Sequence, residues 1–236
     1  MNKISRRIKA KLRHWQTEKE LREQYEVFGS YTRIPLTAFM DNLQLMEKYG
    51  SPGAVVECGV WRGGMIAAAA KRIGDQCSYH LFDSFEGVPD AKEIDGESAQ
   101  AWMQDNIVEC CATEEEYAHE AMSKAGVASI EVVKGWFSET LPKAVFPDKI
   151  SILRLDADWY SSTAECLNFL YDRVKVGGVI ILDDYFAWDG CSRALHDFLS
   201  LNKLADRIET VSRSLAFVEK REELKIKTLN PNPDDE

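Results

Sequence analysis

The sequence lacks the spacings that build sulfur or imidazole metal sites. Its six cysteines, Cys58, Cys77, Cys110, Cys111, Cys166 and Cys191, contain no C-x-x-C pair, and the four histidines stand apart. That argues against a structural zinc site, and reduced thiols in a cytoplasmic protein are the expected state. Long apolar runs are also missing. No stretch approaches the roughly 20 residues a membrane-spanning helix needs. The basic amino terminus has no apolar run behind it, so it does not read as a signal peptide. Positive charge is in short supply: 29 Lys and Arg against 39 Asp and Glu give a net charge of −10. That balance argues against a general nucleic-acid binder.

What remains is an ordinary globular composition in 236 residues, enough for one domain with an elaborated end. Residues 3–15 place Ile4, Ile8, Leu12 and Trp15 at helical spacing among Lys and Arg. This short basic amphipathic helix could touch an anionic membrane surface peripherally, but its stripe is better suited to packing on the domain or on a second subunit. A second helix is expected over 34–49, stopped by Gly50-Ser51-Pro52-Gly53. Residues 1–50 thus form an N-terminal helical segment, 51–229 the main domain, and the polar 230–236 a disordered tail.

From residue 54 the pattern alternates. Strands are expected at 54–58, 78–83, 129–135, 151–156 and 177–184, with helices between them. The 84–126 interval should hold a loop and two helices, the second capped by Thr113 with Glu116. Ser162 with Glu165 has the same capping spacing before the helix that follows the fourth strand. Two final strands, RIETVSR and SLAFVEK, are separated by a short turn and should pair antiparallel. The fold class is α/β: a doubly wound, mostly parallel seven-stranded sheet with a C-terminal antiparallel hairpin. Such sheets bind ligands at the carboxyl ends of their strands, near the switch in strand order.

The first turn reads Glu57-Cys58-Gly59-Val60-Trp61-Arg62-Gly63. A dinucleotide fingerprint aligned on Gly59 would need glycine at 57 and 62. Glu57 and Arg62 stand there instead, which disfavours a nucleotide-dependent oxidoreductase. An E-x-G-x-x-x-G turn suits a cationic ligand without phosphates, such as S-adenosylmethionine; a plain tight turn with a buried salt bridge is the alternative. Asp83, at the end of the second strand, is placed to accept ribose hydroxyls, with Ser84 and Phe85 beside it. Gly135, Trp136 and Phe137 follow the third strand and can wall an adenine slot.

Asp156 closes the fourth strand, and Asp183 and Asp184 close the fifth. If the chain turns after the fifth strand, the three carboxylates meet at one sheet edge. Three ionised carboxylates repel unless a cation intervenes. Mg²⁺, or Mn²⁺, would satisfy them; Arg154, on the same face as Asp156, is the other available partner. A metal beside a methyl-donating sulfonium suggests methylation of a hydroxyl, with Asp156 or Asp158 as the base.

Five segments, VVECGVWRGG, LFDSFEGVP, GWFSETLP, LRLDADWYSST and GGVIILDDYFAWDGCSRALHDF, together resemble the macrocin O-methyltransferase family over about residues 30–200. The resemblance implies a class I, Rossmann-like methyltransferase that uses S-adenosylmethionine and Mg²⁺ to methylate a sugar hydroxyl, on a glycosylated natural product or a surface-polysaccharide precursor. It implies cofactor contacts from the first turn (Glu57, Gly59, Trp61, Gly63) with Asp83, Ser84 and Phe85, and metal ligation by Asp156, Asp183 and Asp184. It further implies a lid around residues 20–40, with Tyr31 and Thr32, and a homo-oligomer. One departure is Ala157, where the family's motif usually reads D-G-D. Trp159, Tyr160, Tyr185, Phe186 and Trp188 crowd the same edge and are divided between acceptor stacking and loop packing. A methyltransferase of catechols or other small phenols is the runner-up of the same fold.

Overall fold

The computed structural model describes residues 17–105, 111–212, 214–223 and 225–235. The basic helix expected over 3–15 lies outside them. Residues 17–28 (α1) are helical, followed by α2 (Leu36–Tyr49). Strand and helix then alternate: β1 (Gly53–Cys58), α3 (Gly64–Ile73), β2 (Cys77–Asp83), α4 (Glu97–Asp105), α5 (Glu116–Ala125), β3 (Ile130–Lys134) and α6 (Phe137–Thr140). They continue as β4 (Ile150–Leu155), α7 (Tyr160–Leu170), β5 (Val174–Leu182), α8 (Asp189–Leu201), β6 (Ile208–Val211) and β7 (Leu215–Glu219).

The seven strands lie in the order β3-β2-β1-β4-β5-β7-β6. β1 to β5 are mutually parallel where they pair, while β7 runs antiparallel to both β5 and β6. The order reverses between β1 and β4, so their carboxyl ends open a crevice in mid-sheet. Every residue of β1 and of β4 is buried, as central strands covered on both faces require. Alternation divides the core in two. Val55 and Ile152 face α1, α2, α3 and α5, while Val56 and Leu153 face α7 and α8. α8 docks through Leu195 and Phe198, each essentially unexposed. Burying such a side chain contributes about 1.5–3 kcal/mol.

Three expectations are corrected. α5 starts at Glu116 with no side-chain cap, and the Thr113 hydroxyl instead accepts from Arg62 Nε at 3.2 Å. α7 starts at Tyr160 and is not capped by Ser162. Its first N–H donates to Asp95 Oδ1 at 2.7 Å, a carboxylate delivered from the loop after β2. A tertiary partner displaced the local one in each case. The tail read as disordered instead makes contacts: Asn232 Oδ1 accepts from Lys92 Nζ at 3.0 Å. Among the described residues, no helix is long and apolar enough to cross a membrane.

Candidate active site

The β1 turn brings two strand ends together through Gly59. The Gly59 N–H donates to the Phe82 carbonyl at 2.8 Å, and the Asp156 N–H to the Cys58 carbonyl at 2.9 Å. With φ of +84°, Gly59 also lies so close to β4 that a Cβ would sit 1.8 Å from the Asp156 carbonyl oxygen. Only glycine fits. Further along the edge, the Asp183 N–H donates to the Leu155 carbonyl at 3.0 Å. β5 ends at Leu182, so Asp183 and Asp184 occupy a turn rather than opposite faces of a strand. Ligand oxygens of Asp156, Asp183 and Asp184 consequently come within 4.8 Å of one another.

A buried guanidinium holds this acid group from below. Arg154 is wholly unexposed. It contacts Glu57 Oε1 at 2.5 Å, Asp156 Oδ2 at 3.0 Å and Asp183 Oδ1 at 2.8 Å. Its Nε donates to Asn42 Oδ1 at 3.0 Å, and Asn42 Nδ2 donates to Asp183 Oδ1 at 2.8 Å. Arg154 is thus one partner of Asp156 and of Asp183. Burial opposes its charge, but Asp183, Asp156 and Glu57 outweigh that and raise its pKa. Burial pushes Glu57 up against the opposing pull of Arg154, and its Oε2 is buried without a hydrogen-bond partner. Asp184 is driven far above the ordinary carboxyl range by burial and then by the charges of Asp158 and Asp156.

Asp158 stands apart from the guanidinium. Its Oδ1 accepts from Trp188 Nε1 at 3.1 Å, and its N–H donates to Asp184 Oδ2 at 3.2 Å. A φ of +56° turns the side chain out of the strand direction, a conformation that costs a non-glycine residue about 1–3 kcal/mol. Burial and the neighbouring Asp156 push its pKa to about 7.

A cavity of about 580 Å³ opens over these groups, within the roughly 300–1,000 Å³ range of small-molecule sites. Glu57, Gly59, Trp61, Asp83, Ser84, Gly135, Trp136, Phe137, Asp156, Asp158, Asp183 and Asp184 all line it. Asp83 spends one lone pair of each oxygen on its own loops, accepting from the Trp61 and Phe85 N–H groups at 2.7 Å. Burial raises its pKa against those bonds.

Two expected contacts are absent from the wall. Phe85 is only 4% exposed and belongs to the apolar core, because its positive φ turns the ring inward. Gly63 instead precedes α3 as its N-terminal cap, in the left-handed region and packed on Ala118. Of the aromatics, Trp188 lines the cavity. Trp159 is buried, donating to the Pro89 carbonyl at 2.7 Å, and Tyr160 is buried beside Asp197. Tyr185 bonds His196, and Phe186 is exposed outside the cavity. Of the two residues expected in a lid, Thr32 lines the cavity while the Tyr31 hydroxyl donates to Glu120. Sequence reasoning missed Asn42, Arg33, Lys92, Trp102 and Asn232. The one available signal was Asn42, a polar residue on the apolar stripe of α2.

Residues 6–220 match the macrocin-O-methyltransferase (TylF) family. The chain belongs to that family. One relative is the demethyldecarbamoylnovobiocin O-methyltransferase of Streptomyces niveus, 34% identical over 169 residues, which are 69% of this chain and 64% of the relative. Another is the 8-demethyl-8-(2,3-dimethoxy-alpha-L-rhamnosyl)-tetracenomycin-C 4'-O-methyltransferase of Streptomyces olivaceus, 34% identical over 192 residues, 75% of this chain and 71% of the relative. This family member therefore spans slightly under two thirds of the first relative's length. Among solved structures it resembles the O-methyltransferase NovP, with a TM-score of 0.66 at 29% identity, covering 78% of this chain and 81% of that one. The fold is that of the class I methyltransferases, as the sheet order and terminal hairpin indicated.

Proposed function

We propose that this family member transfers a methyl group from S-adenosylmethionine to a hydroxyl of a sugar-bearing acceptor, assisted by a divalent cation such as Mg²⁺. The observation that carries the reading is the meeting of Asp156, Asp183 and Asp184 beside the β1 glycine turn in one cavity. The donor set fits a hard cation. Its groups are carboxylate oxygens, and Arg154 supplies one positive charge among five acids, Glu57, Asp156, Asp158, Asp183 and Asp184. Asp156, Asp183 and Asp184 would hold the ion. When bound, it supplies Lewis-acid stabilisation of negative charge developing on the acceptor oxygen.

The protein's own groups account for the rest. The unpartnered Oε2 of Glu57 suits the cationic end of the methyl donor. Asp83 retains lone pairs for ribose hydroxyls, and Gly59 and Gly135 allow close approach. Asp158 takes the acceptor's proton, because it is held by an indole rather than pinned by Arg154. Trp102 and Trp188, whose ring centroids are 6.0 Å apart, offer faces to a sugar ring. Holding oxygen and methyl in line can supply roughly 7–11 kcal/mol of the barrier lowering. The methyl carbon leaves sulfur as it bonds oxygen, and the sulfonium becomes a neutral thioether. The rhamnosyl acceptor named for the Streptomyces olivaceus relative supports this choice over a small phenol. Calorimetry is expected to show binding of S-adenosylmethionine and none of NAD; the opposite pattern refutes the proposal.

A further inference from the structure

The chain beyond β7 leaves the stretch that matches the family, which ends at residue 220. It is laid along α7 and α8 by two asparagines. Asn202, at the end of α8, accepts from the Lys227 N–H at 2.5 Å and donates to the Lys227 carbonyl at 3.1 Å. Asn168, in α7, treats Leu229 the same way, at 2.7 and 2.8 Å. Each carboxamide serves both backbone groups of one residue, as a neighbouring strand would. Residues 227 and 229 are two apart, so in extended chain they face the same way. Ile226 and Leu229 pack on the apolar surface of the same helices.

This clamped segment ends in the cavity wall. Asn232 lines the cavity, and its Oδ1 accepts from Lys92 Nζ at 3.0 Å. Asp234 Oδ2 accepts from the Ile94 N–H at 3.3 Å. Lys92 and Ile94 belong to the loop that follows Asp83. Ser138 and Glu165 line both the main cavity and a smaller one that Thr228 to Pro231 close. Ser138 directly follows Gly135–Phe137. The segment therefore borders the site where the loop after β2, the turn after β3 and the first turns of α7 meet, beside the residues proposed for the methyl donor's nucleoside.

Resting on the methyl-donor reading above, we infer that residues 225–235 form a fixed wall of the donor site, in which Asn232 positions Lys92 against the adenosine end of S-adenosylmethionine. An ammonium held by a carboxamide oxygen offers hydrogen-bond donation to ring nitrogens and ribose hydroxyls, which accept.

Titration calorimetry of the full chain with S-adenosylmethionine tests it. Asn232→Ala is expected to raise Kd about threefold to tenfold, the weight of one hydrogen bond. Asn232→Asp keeps the acceptor oxygen for Lys92 and is expected to stay within about twofold of the unaltered chain. The double variant Asn168→Ala/Asn202→Ala, which touches neither cavity residue, is expected to weaken binding as Asn232→Ala does. If that double variant fails to fold, the Asn232 pair decides alone. An unaltered chain that binds S-adenosylmethionine, with Asn232→Ala binding equally well, overturns the wall. An unaltered chain that does not bind overturns the donor reading as well.

Discussion

Replacing Arg154 by methionine removes the one guanidinium beneath the acid cluster and keeps most of its apolar volume. In the unaltered chain that group lies within 3.0 Å of Glu57, Asp156 and Asp183 and also bonds Asn42. Its own desolvation is unfavourable, so the replacement recovers part of the cost of burying it. The acids cannot recover theirs, because Glu57 is 1% exposed and keeps no other partner for Oε1. Breaking a buried pair by removing one member typically costs about 3–5 kcal/mol, and here three carboxylates lose the same partner. For a chain of this size that corresponds to a fall in melting temperature of roughly 6–20 °C, at about 2–4 °C per kcal/mol.

The sign of the pH dependence follows from the same geometry. Burial holds Glu57 and Asp156 above their unfolded pKa values. Protons are therefore taken up on folding, and the stability they give is present at low pH and lost as pH rises. Without Arg154 the shifts grow, so the deficit of the variant is largest at alkaline pH and shrinks as pH falls toward 5. Urea unfolding of both chains in EDTA, across pH 5–9, measures it. A loss under about 1 kcal/mol, or one that is flat with pH, refutes the claim that Arg154 compensates the cluster.

Glu57→Gln combined with Arg154→Met should cost less than the sum of the single changes, because the pair is coupled; additivity in a double-mutant cycle contradicts that. Asp95→Ala removes the carboxylate that caps α7 and also accepts from the Lys92 N–H at 2.8 Å, so stability should fall by about 1–2 kcal/mol in denaturant unfolding. Gly59→Ala should destabilise the fold by more than about 3 kcal/mol, read as a lower denaturation midpoint, since its Cβ would meet the Asp156 carbonyl and its φ is left-handed. Asp183→Asn should lower turnover about a hundredfold or more while calorimetry still shows S-adenosylmethionine binding. Loss of both would mean that Asp183 acts structurally.

The legible parts of the sequence were those governed by local periodicity. Alternating apolar strands and amphipathic helices marked all seven strands, and acids at strand ends can only gather at one edge of a parallel sheet. Asp156, Asp183 and Asp184 therefore announced their meeting. Contacts across long separations did not. Asn42 reaches Asp183 over 141 residues, and Asp95 caps a helix 65 residues away. Phe85 looked like a base-stacking ring because its neighbours point into the site; a left-handed backbone at that residue sends it into the core. Residues 230–236 read as disordered from composition, since nothing local reveals that Asn168 and Asn202 fix the chain just before them at Leu229 and Lys227, or that Lys92 reaches Asn232.

Methyl transfer from S-adenosylmethionine to a panel of glycosides, measured in EDTA and again after Mg²⁺ is restored, decides whether the acid cluster works through a bound metal. Transfer that stops with the chelator and returns with the ion is the expected result; transfer indifferent to chelation would show that Asp156, Asp183 and Asp184 are compensated by Arg154 alone and hold no metal.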